Sequence, residues 1–293
     1  MKRIKTFMLL FATMAMVLPF SSCSKDDEDD NKGGDDEKWE FKNGISELKD
    51  DGKTISFAVN DPSVALMIFD GADWEELGPV AQSVQTAIQQ VVFKFGYNKD
   101  EAVTSGNIAI SCTSESTAKT LLGLLKDMDP EEAGMMSISG NKVIISGEGE
   151  DFEMSKSDVL GLYYSMYAML NSDGSKASIS EISYNAVEYI WTITTGGVQK
   201  ALGIISITKR YAADDGMDDP IEFYYEDITC KDEATAQLIA KLEYEEEEYA
   251  PYECFVNGSV ITLEYSQDYL EYMTVSDMYF DYEFDKRNLD WYE

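Results

Sequence analysis

Ile110-Ser111-Cys112-Thr113-Ser114-Glu115-Ser116-Thr117-Ala118 returns further along the chain as Ile228-Thr229-Cys230-Lys231-Asp232-Glu233-Ala234-Thr235-Ala236. The offset is 118 positions (230 − 112), with Ile, Cys, Glu, Thr and Ala identical. β-Branched and aromatic residues precede each Cys, as strands prefer. Ser114 and Asp232 then suit helix N-caps, and Glu115 and Glu233 follow near the positive end of the helix dipole. Ala118, Leu121, Leu122 and Leu125 recur at helical spacing, which predicts one buried face. Ile239 and Ala240 continue the same face in the second stretch. Each stretch reads as strand, cap and short amphipathic helix.

The similarity extends outward in the same order. Val84-Gln85-Thr86-Ala87-Ile88 matches Val198-Gln199-Lys200-Ala201-Leu202. Gly140-Asn141 and Asn257-Gly258 are turn signals before Val143-Ile144 and Val260-Ile261. Met154 with Ser157-Asp158 matches Met273 with Ser276-Asp277. Matches in fixed order mark an internal repeat. The expected fold is α+β: two tandem diverged repeats, each an antiparallel sheet with one or two packed helices. The boundaries read 39–172 for copy one and 173–293 for copy two.

Local detail follows from the same patterns. Thr54–Val59 and Val64–Phe69 read as strands. Residues 79–95 fit both a helix and a strand, and a short helix or turn ending near Gln90 before a strand is expected. Ser155–Leu170 carries an apolar helical stripe. At its counterpart Asp281 and Asp285 replace Leu162 and Met166, while Phe280, Tyr282 and Phe284 alternate with acids, a strand-like period.

The N-terminus carries an address. Lys2, Arg3 and Lys5 precede an apolar run, Phe7–Phe20, too short to span a bilayer as a mature helix. It ends in Leu18-Pro19-Phe20-Ser21-Ser22-Cys23, which resembles the lipobox of bacterial lipoproteins. The resemblance implies removal of residues 1–22 and diacylation of Cys23. Ser24-Lys25-Asp26-Asp27-Glu28-Asp29-Asp30 is similar to the acidic export signal of surface lipoproteins of the Bacteroidota. It implies an outer-membrane protein, lipid-anchored and facing the cell exterior. Residues 23–38 are acidic, contain glycine and lack aliphatic side chains, so they read as a flexible tether.

Charge and composition narrow the function. The chain has 23 Lys and Arg against 56 Asp and Glu. Such a field repels phosphate backbones and disfavours nucleic acid. It also leaves membrane attachment to the acyl chains. There is no histidine, which removes Ser-His-Asp and Cys-His nucleophile systems and His-ligated metals. No cofactor is expected. Asp214-Asp215-Gly216-Met217-Asp218-Asp219 departs from the EF-hand spacing and reads as a solvated hairpin loop. Cys112 and Cys230 read as small buried residues at strand ends, although an exported protein also permits a Cys230–Cys254 bridge.

Of 18 tyrosines only Tyr97 precedes residue 160. That asymmetry places some tyrosines of copy two on the surface. Tyr244, Tyr249 and Tyr252 surround four glutamates in an expected loop, and rings of this kind suit a binding surface. The reading is a non-enzymatic surface lipoprotein that binds an extracellular glycan or protein through the Tyr- and acid-rich second repeat. A carboxylate-dependent glycan hydrolase is the alternative class, and a structural subunit of an outer-membrane assembly the third.

Overall fold

The computed structural model describes residues 39–61, 64, 83–84, 86–128, 130, 133–148, 154–214, 216–244 and 250–293. The chain is a mixed α+β protein that divides into two compact units, Met1–Val159 and Leu160–Glu293. The division falls within a helix, ahead of the 172/173 boundary expected from the sequence. Cys23, the acidic run Lys25, Asp26, Asp27, Glu28, Asp29 and Asp30, and most of Val64–Phe69 lie outside the described residues. Val64 itself is helical.

In the first unit short strands β1 (Phe41–Lys42), β2 (Ile45–Ser46) and β3 (Lys49–Asp50) lead into β4 (Thr54–Val59). Then come β5 (Ile88–Tyr97), β6 (Val103–Cys112), helix α1 (Glu115–Met128), β7 (Met136–Ser139), β8 (Lys142–Glu148) and the start of α2 (Lys156–Asn171). All pairings are antiparallel, in the order β1-β2-β4-β5-β6-β8-β7 with β3 beside β4. The strand expected after Gln90 begins earlier, at Ile88, and a bulge at its start skips Gln89 opposite Cys112 and Ser111. A bulge of this kind turns the strand and raises its twist.

The repeated junction folds as its residues direct. Ser114 Oγ accepts from the Thr117 N–H at 3.1 Å, capping α1. Ala118, Leu121 and Leu125 of α1 are buried. Leu122 is half-exposed, so the buried face is narrower than the sequence spacing implied. Cys112 closes β6, buried, with its N–H donating to the Asn141 carbonyl in the β7–β8 turn. Gly140 adopts φ 59° in that turn, where a side chain would be strained.

The second unit takes in the rest of α2, short strands β9 (Ser178–Ile179) and β10 (Ser183–Tyr184), then β11 (Glu188–Thr194). Helix α3 (Gly197–Leu202) precedes β12 (Ile204–Ala212), β13 (Phe223–Cys230) and α4 (Glu233–Ile239). A hairpin of β14 (Tyr252–Asn257) and β15 (Val260–Tyr265) follows, then α5 (Gln267–Leu270) and α6 (Val275–Arg287). The sheet is antiparallel, in the order β10-β11-β12-β13-β15-β14 with β9 beside β11. Its bulge skips Ile205 opposite Cys230 and Thr229. Asp232 caps α4 by accepting from the Thr235 N–H at 2.8 Å. Cys230 is buried at the end of β13, and no disulfide joins it to Cys254.

Two apolar clusters cover one face of this sheet. Under α6 lie Tyr189, Trp191, Ile193, Tyr211 and Tyr224 with Leu270, Val275, Met278 and Tyr282. Under α4 lie Ile204, Ile228, Cys230, Ile261 and Leu263 with Ala236, Ile239 and Ala240. The alternation of Phe280, Tyr282 and Phe284 with acids does not make a strand: the segment is helix α6. Its inward residues are Val275, Met278, Tyr282 and Asp285, so an acid occupies a core position and Phe280 and Phe284 face outward.

Candidate functional site

The tyrosines of the second unit turn mainly inward. Trp191, Tyr211, Tyr224 and Tyr265 stack in series across β11, β12, β13 and β15, with ring centres 5.1, 4.1 and 4.2 Å apart. Tyr252 of β14 meets Tyr265 edge-on at 5.5 Å, and Tyr244 meets Tyr252 at 6.0 Å. Tyr244 and Tyr252 are half-buried and packed against the cluster under α4. Burial pushes the Tyr244 phenol upward. The sequence placed these two rings on a surface loop; the structure makes them an extension of the core. Tyr249 lies outside the described residues.

The ladder's hydroxyls explain the acids among them. Tyr224 and Tyr265 donate to Glu226 at 2.9 and 3.2 Å, and Tyr211 donates to Asp281 at 3.1 Å. Trp191 Nε1 and the Tyr292 hydroxyl donate to Asp285 at 3.1 and 2.7 Å. Lys209 sits among them, 2.9 Å from Asp285 and 3.5 Å from Glu226. Burial opposes its charge, but Glu226 and Asp285 hold its pKa above the ordinary lysine value. Burial raises the Asp281 carboxyl against the opposing effects of Tyr211 and Lys209. Buried charges persist only when paired and hydrogen-bonded, and these are. The network's acids are committed to partners inside the fold.

The other face of the same sheet is open. Strand parity places Glu188, Ile190, Thr192, Arg210, Phe223, Tyr225, Asp227, Phe255, Thr262 and Glu264 on it. Arg210 is its centre: Nε donates to Asp227 at 2.8 Å, Nη1 to Glu188 at 3.4 Å, and the guanidinium lies 4.9 Å from the Tyr225 ring centre. Thr262 donates to the other Asp227 oxygen at 2.7 Å, which fixes that carboxylate. Phe223 and Phe255 flank this group, 46% and 48% exposed. Phe223 runs near-parallel to Tyr225 with centres 6.3 Å apart.

This is an assembled surface: apolar rings beside a positioned guanidinium and two carboxylates. It offers stacking and directed hydrogen bonds, and no group on it is set up as a nucleophile with a neighbouring base. The sequence held the signal, since Phe223, Tyr225 and Phe255 alternate with residues of the core side, Tyr224, Glu226, Cys254 and Val256. Among the described residues no group of His, Cys, Asp or Glu is placed to hold a metal ion. In the Asp214–Asp219 loop, Asp219 accepts from the Gly216 N–H at 2.8 Å. Among the described residues no helix is long and apolar enough to cross a membrane. Comparison with family models, with curated proteins and with solved structures returns no match to this chain.

Proposed function

We propose that the chain is a surface lipoprotein of the Bacteroidota type, diacylated at Cys23 and exported by the acidic run Lys25–Asp30, which binds an extracellular glycan or protein without catalysing a reaction. Its body is read as two tandem diverged repeats. The shared strand order β4-β5-β6-β8-β7 and β11-β12-β13-β15-β14 supports that reading. So do the two bulges, each set opposite the repeated Cys-containing pair. Binding belongs to the second repeat, and the observation that carries it is the open face around Arg210. Exposed Phe223 and Phe255 have no burial to explain them, and a paired guanidinium over Tyr225 stiffens the ground between them. The site therefore moves from the Tyr244–Tyr252 loop to the solvent side of the same hairpin and its neighbours.

The test is a binding screen of the full chain in detergent against surface glycans and extracellular proteins, repeated with Arg210→Ala and Phe223→Ala. Loss of a hit in both variants supports the face; unchanged binding removes it. An affinity that falls steeply with salt identifies a cationic protein partner, and an affinity indifferent to salt a neutral glycan. For the anchor, Cys23→Ala is expected to leave detergent phases, because its sulfur is the acyl acceptor. Retention there would remove the lipoprotein assignment.

A further inference from the structure

The first unit holds a groove of about 560 Å3 on the solvent side of its sheet. Its lining is Thr54, Lys94, Gly96, Ser105, Asn107, Ser146 and Glu148, with Gly106, Gly147 and the Gly134-Met135 segment that precedes β7. The pairing registers arrange these groups in two rows. Lys94, Asn107 and Ser146 stand abreast on β5, β6 and β8. Thr54, Gly96, Ser105 and Glu148 form the next row on β4, β5, β6 and β8. The volume suits a small ligand, but the walls are hydroxyls, an amide and two charges, not the apolar lining of a hydrophobic pocket.

The floor is bare for a reason. Gly96 lies in the lining row, and a Cβ there would meet Ser105 Oγ at 2.5 Å. Gly106 and Gly147 face each other across β6 and β8. Glycine inside strands marks places where something approaches the backbone closely. At Gly96 that something is the Ser105 hydroxyl; Gly106 and Gly147 share the register of Phe95, face the other side of the sheet and lend only backbone to the groove.

Lys94 supplies the second observation. Val91 and Ile207 both pair with the Ile two positions before the repeated Cys, so Lys94 and Arg210 stand at corresponding positions, each on an open face. Arg210 is held by Asp227 and Glu188. Lys94 has no ion pair among the described residues, although the chain carries 56 acids. Glu148 is two strands and two residues away, about 12 Å by sheet spacing. One uncommitted cation and one carboxylate thus stand at opposite corners of a floor ringed by hydroxyl and amide groups.

We infer that this groove binds a saccharide bearing a single carboxylate. The ligand's carboxylate sits at Lys94, and its ring hydroxyls donate to Glu148 and exchange hydrogen bonds with Thr54, Ser105, Asn107 and Ser146. The protein's negative field does not forbid it, because that field is screened beyond about 8 Å at physiological salt, while a contact with Lys94 is not. A polyanion would meet the whole acidic surface and is excluded. Uronic acids and sialic acids share the required chemistry, and the probes separate them. The site is independent of the face around Arg210.

The experiment is calorimetric titration of the full chain in detergent with methyl galacturonoside and with sialyllactose, each carrying one carboxylate, beside their neutral counterparts methyl galactoside and lactose. Binding of either acidic probe is expected, and which one binds assigns the source. The neutral counterpart should bind about tenfold more weakly or worse, the loss of one charge-assisted contact. Lys94→Gln should lose the acidic probe by a similar factor, and Lys94→Arg should keep it. Arg210→Gln should leave it unchanged, which separates this site from the face in the second unit. Lys94 is solvent-exposed, so the variants should melt as wild type does. No binding of either acidic probe, equal affinity for the neutral counterpart, or full affinity in Lys94→Gln would each overturn the proposal.

Discussion

Lys209 Nζ lies 2.9 Å from Asp285, joining the centre of the second sheet to the inward face of α6. At the position on β5 corresponding to Lys209, the first unit has Phe93, stacked on Phe57. At the position corresponding to Glu226 it has Ile108. The second unit therefore places a lysine and an acid where the first keeps apolar side chains, and Asp285 completes the set. Removing one member strands the others. Asp285→Ala leaves Lys209, Trp191 Nε1 and the Tyr292 hydroxyl without this acceptor, and should cost about 3–5 kcal/mol. Asp285→Asn keeps an acceptor and should cost less. Urea unfolding followed by tryptophan fluorescence measures both; a loss below about 1 kcal/mol for the alanine variant would show that the network contributes little.

Asp281 makes an opposite prediction about pH. Burial raises its folded pKa above the ordinary carboxylate value, so its unfolded form releases a proton first. Its contribution to stability is complete below the unfolded value and is lost as pH rises through the folded one. Asp281→Asn still presents an oxygen to the Tyr211 hydroxyl but cannot ionise. Stability at neutral pH should stay equal or rise, and the decline on the alkaline side of pH 4 should flatten. A variant less stable at pH 7 but equal at pH 3 would reverse this sign.

Asp50 works the other way. Burial pushes it upward, yet the Lys156 ammonium at 2.8 Å, the Tyr97 hydroxyl at 2.6 Å and the Gly52 N–H bring it down to about 2. A depressed carboxylate contributes stability present above its unfolded pKa and lost as pH falls through its folded one. The window here is roughly pH 4 to 2. Asp50→Asn should therefore reduce stability at pH 6 and remove part of the acid-side slope of the wild type. Titration of the Asp50 carboxyl by NMR checks the cause directly, and a midpoint near 4 would refute it.

The legible parts of the sequence were those where local chemistry and tertiary packing agree. The Ser114 and Asp232 caps, the Cys112 and Cys230 strand ends and the glycine turns all depend on nearby residues, and all stand where spacing placed them. Helix α6 was obscured because hydrophobic periodicity assumes that acids face water. Asp281 and Asp285 face inward, and no pattern in 275–287 announces a lysine on β12 waiting for them. The tyrosines divide: Tyr211, Tyr224 and Tyr265 form a ladder with acidic hydrogen-bond partners, while Tyr184, Tyr269, Tyr272 and Tyr279 are exposed, in line with the asymmetry of the sequence. The open face around Arg210 has no local signature in the sequence, because its residues come from five strands. Only their parity after folding brings them together.

That parity separates two kinds of aromatic on one hairpin. Tyr252 points to the core side of β14, and Phe255, three residues on, to the solvent side with Glu253. Tyr252→Ala removes ring contacts with Tyr244 and Tyr265 and should lower stability by about 1–3 kcal/mol, as a half-buried aromatic truncation does. Phe255→Ala and Phe223→Ala remove exposed rings and should change stability by no more than about 0.5 kcal/mol. If the open face is the binding surface, those two variants should instead weaken a bound glycan or protein by roughly 1–2 kcal/mol each. Thermal unfolding and binding measured on the same preparations distinguish the roles. A stable Tyr252→Ala protein that loses its ligand, beside Phe255→Ala protein that keeps it, would return the site to the Tyr244–Tyr252 segment.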